Sequence, residues 1–196
     1  MAAEILHPTN TGIDSRKLAM WAFLASDCMF FGSLISAYMV SRHRSVQGPY
    51  PEDLINIPFT SVSAFVLLMS SLAMVLALSG IQRGDMRLFR IWILATSLLG
   101  GIFLAGQIYE FHHFYHEHLT LSQNLFGSSF FTLTGFHGTH VAVGVAWLMS
   151  LFFASYLPGL VTKAKSLNVE IAGLYWHFVD IVWIIIFTLV YLLPYN

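Results

Sequence analysis

Five stretches of this chain, at 18–40, 59–81, 88–111, 127–156 and 171–193, are each apolar over at least the roughly 20 residues that cross a hydrocarbon core. That single feature restricts the fold more than any other. A backbone inside lipid has no water to bond to, so segments of this length and composition satisfy themselves as helices. The sequence therefore predicts an all-α, polytopic membrane protein, with five transmembrane helices in a bundle forming one membrane domain over residues 1–196. The breaks between spans carry turn chemistry: Gly48, Pro49, Pro51 and Pro58, then Arg83, Gly84 and Asp85, then 116–124, then Pro158 and Gly159. No internal repeat is visible.

Charge sets the orientation. Arg16, Lys17, Arg83, Arg87, Arg90, Lys163 and Lys165 fall on the amino-terminal side of the five spans, against Arg42 and Arg44 on the other. By the positive-inside rule the amino terminus is cytoplasmic and the carboxyl terminus outside. A net charge of −1 argues against nucleic acid as a partner. Cys28 is the sole cysteine, which excludes an internal disulfide and a thiolate cluster, and it reads as a small buried residue. Glu4, His7 and Pro8 precede a first span too long for a secretory signal, so the amino terminus is expected to be mature.

Against this apolar background the ionisable residues stand out. In 171–193 some fourteen Ile, Leu, Val and Phe residues each favour insertion by about 0.3 to 0.6 kcal/mol, against a cost of about 3 kcal/mol for Asp180. The helix inserts and takes the carboxylate with it. On a helical wheel Trp176, Asp180, Trp183, Phe187 and Tyr191 share one arc with His177 at its edge, predicted to face inward. Phe178, Ile181, Val182, Ile185, Leu189 and Leu192 form the opposite arc, predicted to face lipid. Asp27 in the first span lies on an arc with Leu24, Phe31, Leu34 and Tyr38. Gln107 and Glu110 in the third, and His137 and His140 in the fourth, are each spaced i, i+3. Intramembrane groups of this kind are expected to meet one another between helices, giving a polar interior thread with His177 and Asp180 as a charge-assisted pair or neighbours. Gly100, Gly101, Gly106, Gly135, Gly138 and Gly144 are expected to let helices approach closely.

The same residues admit other uses. His137 and His140 supply at most half of a usual haem or metal ligand set, so an interhelical hydrogen bond is the better reading. His112, His113, His116 and His118 around Glu117 have the composition of a metal-binding tract, but read as a wet surface loop. Asp27 and Glu110 could serve proton relay, structural support or proton buffering. A stand-alone proton or solute transporter would show repeats and interrupted helices. Trp21, Trp92, Trp147, Trp176 and Trp183 read as belts and packing rather than cofactor stacking.

Residues 127–144, GSSFFTLTGFHGTHVAVG, followed by YWHFVDIV at 175–182 and Trp183, closely resemble subunit III of the haem-copper terminal oxidases. QIYEF at 107–111 resembles the family's third-span motif, and 21–38 resembles its first. The resemblance covers nearly the whole chain and implies a non-catalytic subunit of a respiratory complex that reduces oxygen to water with proton pumping. It implies no catalytic, cofactor or metal residue in this chain, with haem and copper in partner subunits I and II. Further small subunits, a larger respiratory assembly, structural phospholipid and a bacterial plasma membrane also follow from it. By motif position, Asp27, Gln107, Glu110, His137, His140, His177 and Asp180 become a buried polar network that supports packing, lipid retention or proton uptake. Two departures stand out: Ser26 is followed by Asp27 and Cys28 where many members have Glu after Ser, and five spans replace the seven of longer members. The alternative is a related accessory chain of a nitric oxide reductase.

Overall fold

The computed structural model describes residues 12–42, 56–116 and 125–193. Arg44, Gly48, Pro49, Pro51, Glu117, His118, Asn124 and the Glu4, His7 and Pro8 segment lie outside the described residues. Those described form five long helices and two short helical turns: α1 Ser15–Ser41, α2 Ile57–Arg83, α3 Met86–His116, α4 Leu125–Ala154, a 3₁₀ turn Lys163–Lys165, α5 Ser166–Phe187 and a π turn Thr188–Leu192. All five are long and apolar enough to cross a membrane, the last when the flanking turns are included.

Helix ends follow local chemistry. Asp14 caps α1 by accepting from the Arg16 backbone N–H at 2.9 Å. Its carboxyl is held below the ordinary 3.8, chiefly by hydrogen bonds from Arg16. Asn56 caps α2 through the Phe59 N–H at 3.1 Å, with Pro58 in the first turn, where a missing N–H is harmless. Gly84, at φ 86°, ends α2 in the left-handed region. Asp85 then accepts from the N–H groups of Arg87 and Leu88, both at 3.0 Å, to start α3. The α2–α3 connection is therefore a tight hairpin.

The helices alternate in direction. At one end Lys17 of α1 pairs with Glu170 of α5, and Arg90 of α3 donates to the hydroxyl and carbonyl of Ser155 while stacking 4.1 Å from the Tyr156 ring centre. At the other, Arg42 after α1 donates to the Leu193 carbonyl at 3.1 Å. The described chain thus starts and finishes at opposite ends of the bundle.

Helix α5 is the hub, packing on α1, α2 and α4, whereas α1 touches chiefly α4 and α5. Of the most apolar stretch, 56% of the residues are buried for α5 and 11% for α1, which makes α1 the peripheral helix. This arrangement corrects the helical-wheel reading. Trp176, Asp180, Trp183 and Tyr191 are buried as expected, and Ile181, Ile185 and Leu192 are exposed, but Phe178 and Val182 are buried as well. A helix packed on three sides has a core arc wider than one wheel face; Phe178 meets Phe31 of α1, ring centres 6.5 Å apart. Cys28, expected to be buried, is exposed on α1. Helix α3 also runs past the apolar span to His116, so His112, His113 and His116 stand on a helix instead of a loop.

Close approach comes from specific glycines. The Trp176 ring lies between Gly100 of α3 and Gly144 of α4; a Cβ at either position would come within 2.5 Å or 2.8 Å of its atoms. The indole N–H donates to Ser70 of α2 at 3.0 Å, so one side chain joins four helices. Gly138 makes room in the same way for Gln107, and Gly106 for Ser63. Gly101 and Gly135 face open space and do not share this role.

Candidate functional site

The polar side chains inside the bundle form four local groups. Nearest the Arg42 end, the Glu110 carboxylate on α3 accepts from Thr60 Oγ1 of α2 at 2.9 Å and from Tyr191 OH of the π turn at 3.1 Å. Three elements meet on one buried carboxylate. Beside it a cavity of about 410 Å³ is lined by Asn56, Phe59, Tyr109, Glu110, His113 and Phe114.

One turn earlier on α3, Gln107 Nε2 donates to the Thr134 carbonyl of α4 at 2.8 Å. Gly138, one turn on from Thr134, leaves the space the amide occupies: a Cβ there would lie 2.6 Å from Gln107 Oε1. His137, fully buried on α4, stacks on Trp183 with ring centres 4.9 Å apart and planes at 24°. Phe103 closes edge-on against both rings, at 6.0 and 4.8 Å. Among the described residues no protein group hydrogen-bonds to either His137 ring nitrogen, Gln107 Oε1, Asp180 Oδ1 or Trp183 Nε1.

His177 and Asp180 do not pair directly. Ser71 of α2 comes between them, sharing a 2.6 Å hydrogen bond with His177 Nδ1 and lying against the Asp180 carboxyl. Both side chains turn towards α2.

The fourth group joins α1 to α4. His140 Nδ1 donates to the Phe136 carbonyl at 2.7 Å, which leaves Nε2 directed at Asp27 Oδ2, 3.6 Å away. That distance is within ion-pair range and beyond a hydrogen bond. Tyr175 OH of α5 donates to the His140 carbonyl at 3.0 Å. An open, apolar cavity of about 390 Å³ lies against this group, lined by Met20, Phe23, Thr139, His140, Val143, Trp147 and Tyr175.

The ionisable groups inside the bundle therefore meet hydroxyls and backbone carbonyls more than one another; among the described sequence-predicted site residues, Asp27 and His140 are the pair within ion-pair range. His137 points into the aromatic core and His140 towards α1, so the i, i+3 pair does not converge on one ligand. Among the described residues no three His, Cys, Asp or Glu side chains gather into a metal-binding set. Ser70, Ser71, Thr60, Thr134 and Tyr175 complete these contacts and are not marked by the charged residues of the sequence, whereas Tyr191 lies on the inward arc predicted for it. The adjacent serines in the middle of an apolar span were the available signal.

The comparisons with known proteins agree with this geometry. The family profile described as Cytochrome c oxidase subunit III matches residues 6–195. Quinol oxidase subunit 3 of Bacillus subtilis is 38% identical over 176 residues, 90% of this chain and 86% of the relative. Cytochrome c oxidase subunit 3 of Bacillus sp. (strain PS3) is 37% identical over 179 residues, 91% and 86% of the two chains. Cytochrome bo(3) ubiquinol oxidase subunit 3 of Pseudomonas aeruginosa is 38% identical over 195 residues, 98% and 93%. A match of this length, on a bundle with five helices able to span a membrane, places the chain in the cytochrome c oxidase subunit III family, as the third subunit of a haem-copper oxidase in the bacterial plasma membrane.

Proposed function

We propose that this chain is a non-catalytic scaffold of its oxidase: it steadies subunit I, holds lipid beside it and supports proton uptake, while haem and copper sit in the partner subunits. The observation that carries this reading is that several of its buried polar side chains join its own helices to one another. Glu110 binds Thr60 and Tyr191, Gln107 binds the Thr134 carbonyl, and Ser71 holds His177. Groups engaged in this way hold a bundle in one packing. Subunit II, further small subunits and a larger respiratory assembly are the remaining partners of this reading.

The amino-terminal side carries the lysine and arginine excess, which supports a cytoplasmic amino terminus. The apolar cavity between α1, α4 and α5 has the lining expected of an acyl-chain site, with His140, the neighbour of Asp27, in its wall. It supplies, within five helices, a recess for lipid. Relatives named for quinol and for cytochrome c are about equally similar, so the electron donor is set by the partner subunits.

Purification of the complex in mild detergent tests the proposal. The reading requires a haem-bearing subunit I to accompany the chain in equal amount; a copper-bearing subunit II then marks the cytochrome c branch and a copper-free one the quinol branch. Isolation of the chain with a nitric oxide reductase, or with no haem protein, overturns it.

A further inference from the structure

Outside the bundle core, the last two turns of α3 carry a pair of histidines. His112 and His116 are both exposed, one helical turn apart, and their Nε2 atoms lie 3.3 Å from each other with ring centres at 4.5 Å. Two histidines at i, i+4 on one helix face are the arrangement by which a helix presents two imidazoles to one metal ion. The distance fits as well as the spacing. A tetrahedral ion with metal–nitrogen bonds of about 2.05 Å holds adjacent ligands about 3.3 Å apart, so these two nitrogens already stand at chelating separation. His113 points elsewhere, lining the cavity beside Glu110.

We infer that His112 and His116 form a surface site for a divalent late transition-metal ion such as Zn²⁺ or Cu²⁺, with both Nε2 atoms as ligands and water completing the shell. Imidazole ligands select this class over Mg²⁺ or Ca²⁺, which take oxygen. The short helical spacing makes the second ligand intramolecular once the first has bound, which raises affinity over a lone histidine by about 100-fold. Without metal, one imidazole N–H donates to the other ring across the same gap. The site lies at the opposite end of the bundle from the Arg90 clamp.

Isothermal titration of ZnCl₂ into the full chain in detergent micelles, purified with a histidine-free tag, tests the assignment. One Zn²⁺ per chain is expected, weakened about 100-fold in His112→Gln and in His116→Gln and unchanged in His113→Gln. Cu²⁺ bound to the same preparation should show electron paramagnetic coupling to two nitrogens, falling to at most one in either single variant. Wild-type affinity equal to that of the His112→Gln/His116→Gln double variant overturns the inference, as does equal weakening by His113→Gln. Both rings are exposed, so unaltered melting of these variants separates lost ligation from lost fold.

Discussion

Tyr191 OH donates to Glu110 Oε2 at 3.1 Å, joining the π turn after α5 to the middle helix of the α2–α3–α4 face. Thr60 reaches the other carboxylate oxygen at 2.9 Å, so the residue that would be hardest to place in hydrocarbon alone becomes the point where three elements lock.

Removing that carboxylate should loosen the Arg42 end of the bundle. Glu110→Ala removes the acceptor that Thr60 and Tyr191 share and is expected to cost about 1–3 kcal/mol. Glu110→Gln keeps one acceptor oxygen and should cost less. Thermal melting of the complex, followed by release of this chain, would show the order wild type, Gln, Ala; an Ala variant as stable as wild type would remove Glu110 from the packing argument.

The Trp176 slot makes a steric prediction. Gly100→Ala places a methyl 2.5 Å from the indole and should destabilise by about 1–3 kcal/mol through overpacking. Gly101→Ala, beside it but facing open space, should be close to neutral or slightly favourable through helix propensity. Comparing the two melts controls for composition, since the substitutions are identical and adjacent.

Ser71 links α2 to the His177 and Asp180 turn. Ser71→Ala should cost about 0.5–1.5 kcal/mol through the lost hydrogen bond, whereas Ser61→Ala, whose hydroxyl returns to its own helix at Ile57, should be nearly silent. Hydrogen exchange of the α5 backbone around His177 would distinguish them, and equal protection in both variants would show that Ser71 does not tie the helices.

The spans and most inward faces were legible because hydrophobic length and charge cost are large, local properties. Asp27, Gln107, Glu110, His137 and Asp180 could be singled out from sequence for that reason. Partner choice was not legible. Ser71 and Thr60 are cheap to bury, so nothing in composition marks them as the groups that meet His177 and Glu110. Phe178 and Val182 were assigned to lipid because a wheel assumes one packed face, and only the assembled bundle shows that α5 is enclosed by α1, α2 and α4. Cys28 was misplaced for the converse reason, since α1 lies at the edge and buries little. The extension of α3 to His116 depends on helix continuity beyond the apolar span, which hydrophobicity does not report.

The central claim is that this chain's buried polar residues hold a scaffold together and carry no redox chemistry. It is tested most directly by purifying the oxidase from cells carrying Glu110→Ala with Asp180→Ala, and measuring this chain's stoichiometry beside oxygen reduction per haem in freshly isolated complex. The account predicts that the chain is depleted or melts early while the haem content and initial oxygen reduction per haem stay near wild type. Full stoichiometry with an unaltered melting profile, or a collapse of initial turnover with the chain fully retained, would contradict it.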